Sequence, residues 1–168
     1  MMTLGILGGG QLARMLCLDA KRMGVRTVVW SGTPTAESTE GVADLVLKRN
    51  FDDVEAHEEF CHQVDVATVE FENIPLETLR AVEEAVGLYP SAESIGVSQH
   101  RSREKTFFRE HGIPCAPFML VNSFAELEVA YEEIGPDTVL KTAAFGYDGK
   151  GQAKITSVDE LEAAWESV

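Results

Sequence analysis

A chain of 168 residues is long enough for one ordinary domain, or for one small domain and part of a second. Its content, 45% hydrophobic and 25% charged, is that of a globular protein rather than a disordered one. Twenty-eight acidic residues against 14 basic ones leave a net charge of −14, which argues against nucleic acid or an anionic membrane as partner, because the mean field repels phosphate. Any phosphate ligand must then be held by local backbone N–H groups and a few placed cations. No apolar run approaches the roughly 20 residues of a membrane span, and Met1 to Met15 lacks the basic leading segment of a signal peptide. Cys17, Cys61 and Cys115 are odd in number and far apart, which predicts reduced thiols in a cytoplasmic protein. His57 and His62 stand five apart, on different faces of a helix, so no metal site is expected there.

In chain order, Thr3 to Leu7 reads as a short apolar strand running into Gly8-Gly9-Gly10. Leu12, Met15, Leu16, Leu18 and Met23 then recur near the helical period, and Gly24 ends the helix. Val25 to Trp30 is a second strand, Ser31 to Gly41 a polar loop, and Asp44 to Lys48 a third strand. A helix over Asp53 to Gln63 leads to a fourth strand, Val64 to Val69, which ends in Glu70-Phe71-Glu72-Asn73. Pro75 opens a helix whose face is Leu76, Leu79, Val82 and Val86, stopped by Gly87. Alternating strand and helix imply an α/β domain, a parallel sheet with helices on both faces.

The character changes after Pro90. Ser94 to His111 reads as one charged helix carrying Arg101, Arg103, Lys105 and Arg109, terminated by Gly112-Ile113-Pro114. Phe118 to Val121 reads as a strand, and Ser123-x-x-Glu126 as a capping box for a helix reaching Gly135. Strands at Thr138 to Thr142 and Ala153 to Thr156 flank a glycine-punctuated turn, Ala143 to Gln152. A second capping box, Ser157-x-x-Glu160, opens the last helix.

Three segments carry chemistry. Gly8-Gly9-Gly10-Gln11-Leu12-Ala13 fits the pattern G-x-G-x-x-A, in which glycines let the backbone approach a phosphate at a helix N-terminus. A nicotinamide dinucleotide site also wants an acid at the end of strand two, but Val29-Trp30-Ser31-Gly32 has none. The same glycines serve equally in a tight turn that binds nothing. Glu70 to Asn73 lies where a parallel sheet presents ligands, and its acids suit ribose hydroxyls or an amine; it also suits a helix start, with Asn73 as cap. In the third segment, Lys141 ends an apolar strand and its ammonium wants an anionic partner. It is followed by Gly146-Tyr147-Asp148-Gly149-Lys150-Gly151-Gln152, a loop costly to order. That loop reads as a flap over polyphosphate or as a plain hairpin, and one segment can be both. Arg101 and Lys105 share a helix face, the usual situation of solvated charge.

Together, Gly5 to Met15, Val69 to Pro75, Arg101 to Lys105, Gly112-Ile113-Pro114, Lys141 and Gly146 to Gln152 resemble the ATP-grasp superfamily. Within it they resemble the N5-carboxyaminoimidazole ribonucleotide synthetases, in order and spacing along nearly the whole chain. Gln11, where formate-dependent glycinamide ribonucleotide transformylases usually carry Glu, and the Tyr147-Asp148 pair favour that assignment. Departures are His100, where Asp often precedes the arginine, and the missing acid after strand two.

The resemblance implies a Rossmann-like pre-ATP-grasp domain over residues 1–96 and an incomplete ATP-grasp α+β subdomain over 97–168. It implies a carboxylating ligase of purine biosynthesis that uses ATP, magnesium, bicarbonate and 5-aminoimidazole ribonucleotide, in a homodimer. Arg101 and Lys141 would meet ATP phosphates, and Gly146, Tyr147, Asp148, Gly149, Lys150, Gly151 and Gln152 would cover them. Gln11, Glu72 and Asn73, with Tyr147, Asp148 and Lys150, would face the ribonucleotide; Lys105 is a further candidate. Adenine and magnesium ligands are expected beyond Val168, so these 168 residues are expected to be inactive alone. The alternatives are a non-catalytic nucleotide-binding or assembly module, and a nicotinamide-binding domain.

Overall fold

The computed structural model describes residues 1–35, 38–144 and 151–168. The chain divides into two compact units, Met1–Gly96 and Val97–Val168.

The first unit is built on four parallel strands: β1 (Thr3–Leu7), β2 (Arg26–Gly32), β3 (Leu45–Asn50) and β4 (Val66–Val69), in the order β3-β2-β1-β4. Side chains alternate across the sheet with period two, so each central strand feeds two cores. Leu7, Val28 and Trp30 point to one face, against Ala56 and Phe60 of α2 (Val54–Gln63) and Leu79 and Val82 of α3 (Leu76–Val86). Ile6 and Val29 point to the other, against Ala13 and Cys17 of α1 (Gln11–Arg22). Fully buried Trp30 anchors the first core, edge-on to Phe51 at 5.3 Å between ring centroids, with its indole N–H donating to the Arg49 carbonyl at 3.0 Å.

Helix α1 forms where the sequence places it, but its periodic large residues do not face the sheet. Leu12, Met15, Leu16, Leu18 and Met23 are all exposed, whereas Ala13, Cys17 and Ala20 are buried. The buried stripe lies roughly 100° round the helix from the line through Leu12 and Leu16, at about 3.6 residues per turn. Small side chains let the helix sit close on the sheet, and closeness of backbone, not bulk, selected the inner face.

Two further readings change. The single charged helix over Ser94 to His111 is two: α4 (Ala92–Ser98) and α5 (Arg101–Glu110). His100 between them is extended, at φ −133° and ψ 114°. The Arg101 amide donates to the Ala143 carbonyl at 2.7 Å instead of continuing a helix. Phe118 to Val121 forms no strand, because no neighbouring edge pairs with its backbone among the described residues and strands exist only as pairs.

The second unit holds the antiparallel pair β5 (Thr138–Lys141) and β6 (Gln152–Ile155). Helices α6 (Phe124–Ile134) and α7 (Leu161–Ser167) cover it, Leu127 of α6 and Leu161 and Ala164 of α7 clustering with Ile155 of β6. Ser157 and Glu160 form the expected capping box, closed over a short 3₁₀ turn, Val158–Glu160, that precedes α7. At Ser123 only half a box forms: its hydroxyl accepts from the Glu126 amide at 3.2 Å, while the Glu126 carboxylate accepts from the Asn122 amide at 2.7 Å.

Candidate functional site

In the first unit the chain leaves β1 towards β2 and β3 on one side, and later enters β4 on the other. The carboxyl ends of β1 and β4 therefore flank the point where strand order reverses, the place where open α/β sheets hold ligands. Gly8-Gly9-Gly10 leaves β1 here and Glu70 to Asn73 leaves β4. Backbone bonds continue the sheet one step past each end: the Gly8 amide donates to the Trp30 carbonyl at 2.8 Å, and the Glu70 amide to the Leu7 carbonyl at 2.8 Å.

The side chain that meets the glycine loop is Glu70, which the sequence reading counts among the two acids of this segment without assigning it to the ribonucleotide. The Gly10 amide donates to Glu70 Oε2 at 3.3 Å. A Cβ at Gly10 would stand 2.5 Å from Glu70 Oε1, and one at Gly8, whose φ of +106° already disfavours a side chain, 2.6 Å from Oε2. The half-buried carboxylate thus fills the space the glycines leave. The attraction of a helix N-terminus for an anion is roughly 0.3–2 kcal/mol, and here the chain's own Glu70 takes it up. No side chain caps α1. Gln11, Glu72 and Asn73 are exposed at the same end of the sheet. Asn73 is not the cap of α3; that position is Pro75, without a side-chain cap. At the end of β2, the Ser31 hydroxyl lies within hydrogen-bond distance of the carbonyls of Thr33 (2.6 Å) and Leu47 (3.1 Å), and the strand end Val29 to Gly32 carries no carboxylate for a ribose.

The second unit holds a cavity of about 850 Å³. Arg101, Lys105 and Lys141 all line it, with Phe118, Leu140 and Trp165 among its apolar walls. Three cations that the sequence scatters over 41 positions, from Arg101 to Lys141, thus share one concave surface. Phe118 lies near two cations of α5, with Arg109 Cζ 5.3 Å and Lys105 Nζ 6.0 Å from its ring centroid. The ladder pairs Lys141 with Gln152, and the Thr142 amide donates to the Gly151 carbonyl at 2.9 Å, closing the base of a hairpin. At Gly151, φ is +65° and a Cβ would lie 2.6 Å from Thr142 Oγ1, so only glycine fits. The flap residues Gly146, Tyr147, Asp148, Gly149 and Lys150 lie outside the described residues. Among the described residues no three His, Cys, Asp or Glu side chains are grouped to hold a metal ion, and no helix is long and apolar enough to cross a membrane.

Comparison with known proteins agrees with this architecture. Residues 1–99 match the ribonucleotide synthetase pre-ATP-grasp domain, and residues 106–168 the ATP-grasp domain. The N5-carboxyaminoimidazole ribonucleotide synthase of Brucella melitensis is 38% identical over 96% of this chain and 44% of its own length. An ADP complex of an N5-carboxyaminoimidazole ribonucleotide synthetase superposes with a TM-score of 0.90 at 36% identity, over 98% of this chain and 44% of that one. The Aspergillus clavatus N5-carboxyaminoimidazole synthase, solved with ADP and 5-aminoimidazole ribonucleotide, superposes at 0.83 with 28% identity, over 99% and 43%. The chain thus spans less than half the length of these relatives. The ribonucleotide synthetase pre-ATP-grasp match covers the whole parallel-sheet unit and more than half of the sequence, and this chain belongs to the ribonucleotide synthetase pre-ATP-grasp family.

Proposed function

We propose that this chain is the nucleotide- and substrate-binding first part of a ligase that carboxylates 5-aminoimidazole ribonucleotide with bicarbonate at the expense of ATP. The observation that carries the reading is the cavity of the second unit, which brings Arg101, Lys105 and Lys141 together in a protein of net charge −14. Such a cluster favours a compact polyanion, and the hairpin built on Gly151 starts beside it. The solved relatives hold ADP, and one of them also holds 5-aminoimidazole ribonucleotide.

In the proposed reaction a bicarbonate oxygen attacks the γ-phosphorus of ATP. The bond to the bridging oxygen breaks, and ADP leaves with that electron pair. The amine nitrogen of the ribonucleotide then attacks the carboxyl carbon of the carboxyphosphate, phosphate departs with the C–O electron pair, and the amine gives up a proton. Catalysis of this kind is positioning and charge stabilisation. Arg101 and Lys141 are assigned to the phosphates, with Lys105 beside them, and Gly146 to Gln152 to the cover over them. Gln11, Glu72 and Asn73, with Tyr147, Asp148 and Lys150 of the hairpin, are assigned to the ribonucleotide. Magnesium would neutralise phosphate charge when bound; the described residues offer no cluster for it, and we assign its ligands and those of adenine to sequence outside residues 1–168. A homodimer in the cytoplasm completes the reading, and the three free cysteines suit a reducing compartment.

The test is ribonucleotide-dependent ADP release. The 168-residue chain alone is expected to give none. A fusion of this chain to the remaining part of a 38%-identical relative is expected to restore it. In that fusion Lys141→Ala should weaken ATP by about 10-fold or more, the scale of a lost hydrogen bond to a charged group. A folded fusion that binds ATP yet ignores the ribonucleotide would refute the substrate; unchanged ATP affinity in Lys141→Ala would refute the phosphate assignment.

A further inference from the structure

We infer that Glu70 is a specificity determinant: a built-in anion that closes the glycine loop after β1 to phosphate, so that a loop of dinucleotide-binding pattern rejects dinucleotides and pyrophosphate. In a G-x-G-x-x-A turn the missing side chains leave room for a ligand phosphate to approach the backbone. Here that room is taken. One carboxylate oxygen accepts from the Gly10 amide at 3.3 Å, and the two oxygens come within 2.5 and 2.6 Å of where the Cβ atoms of residues 10 and 8 would stand. The glycines are therefore needed for Glu70 to approach, whatever else binds. The carboxylate arrives from the end of β4, 60 positions away, while the start of α1 itself carries neither an acid in its first turn nor a side-chain cap. A second anion at the loop would sit within a few ångström of this half-buried carboxylate. Repulsion between like charges at that distance exceeds the pull of a single helix end. The end of β2 itself, Val29-Trp30-Ser31-Gly32, carries no carboxylate to hold a ribose.

This inference rests on the first unit alone and not on the ligase reading, so its test needs neither ATP nor turnover. The amide resonances of Gly8, Gly9 and Gly10 in the 168-residue chain are followed while inorganic pyrophosphate, and separately NAD⁺, is added. The wild-type resonances are expected to stay in place up to about 10 mM. In Glu70→Gln, which keeps the shape and removes the charge, and in Glu70→Ala, pyrophosphate is expected to shift them saturably, with at least tenfold tighter binding than wild type. Glu84→Gln, an exposed acid on α3 with no part in the site, is expected to behave as wild type. The inference is overturned if wild type binds pyrophosphate at the loop as tightly as the two variants. It is equally overturned if Glu70→Gln, with a dispersed native spectrum, stays blind to the anion, or if Glu84→Gln gains the same affinity.

Discussion

At the scale of single residues, charge is used locally and against the mean. The net charge of −14 is not spread evenly in effect: at the carboxyl ends of the strands one acid is tied to a backbone amide, and in the second unit three cations share a cavity. Two other acids act as helix-end ligands. Asp53 accepts from the Ala56 amide at 3.0 Å, which holds its carboxyl below the ordinary range, helped by the Arg49 guanidinium at 3.1 Å. Glu160 is held low in the same direction by the Thr156 amide at 2.6 Å. Each carboxyl is more acidic in the folded chain than in the unfolded one. Its stabilising contribution is therefore complete above the unfolded value, near 4, and is lost as pH falls through the folded value below it. Asp53→Ala should lower the melting temperature by a few degrees at pH 7, and that difference from wild type should shrink on acidification below about pH 4; thermal unfolding followed by circular dichroism at several pH values reads both. The Ser157–Glu160 box was legible in the sequence, because a capping box is a contact between residues three apart, whereas the sequence reading places Asp53 within its helix and not at the cap. The Glu70 contact was not legible, because it joins residues 60 apart and nothing in the local pattern distinguishes Glu70 from Glu72.

At the scale of elements, the sheet carries its own spacing rules. Gly5 in β1 faces the ring of Phe60 from α2: a Cβ there would lie 2.5 Å from Phe60 Cζ and 3.1 Å from Val64 Cγ1. Gly5→Ala should therefore cost about 1–3 kcal/mol by overpacking. Phe60→Leu removes the ring edge it would strike, so the double variant should lose less than the sum of the two single losses, with a coupling of about 0.5–3 kcal/mol in urea unfolding; strict additivity would show that α2 simply moves away. Helix α1 makes the same point from the other face of the sheet. Its periodic large residues were legible and its inner face was not, since Ala13, Cys17 and Ala20 carry little hydropathy signal yet are the residues that allow close approach. The break between α4 and α5 has a comparable origin: the Arg101 amide is claimed by the distant Ala143 carbonyl, a bond that no helical periodicity foretells.

At the scale of the whole molecule, the two units differ in how much core each owns. Residues 1–96 contain both cores of the parallel sheet, with Trp30, Phe60, Ile6 and Leu7 fully buried, whereas the core of residues 97–168 rests on Leu127, Ile155, Leu161 and Ala164. Residues 1–96 expressed alone should unfold cooperatively in urea, and residues 97–168 alone should melt at lower denaturant or remain unfolded; a reversed order would show that the small unit has stability the buried contacts do not account for. By itself the sequence determined the class, alternating helices and strands that can close only as a parallel α/β sheet, and the helix ends marked by Ser157 and Glu160, because periodicity and capping act within a few residues. Tertiary structure alone decided strand order, the inner face of α1, and which acid reaches the glycine loop, because these depend on distances between segments that only the folded sheet brings together.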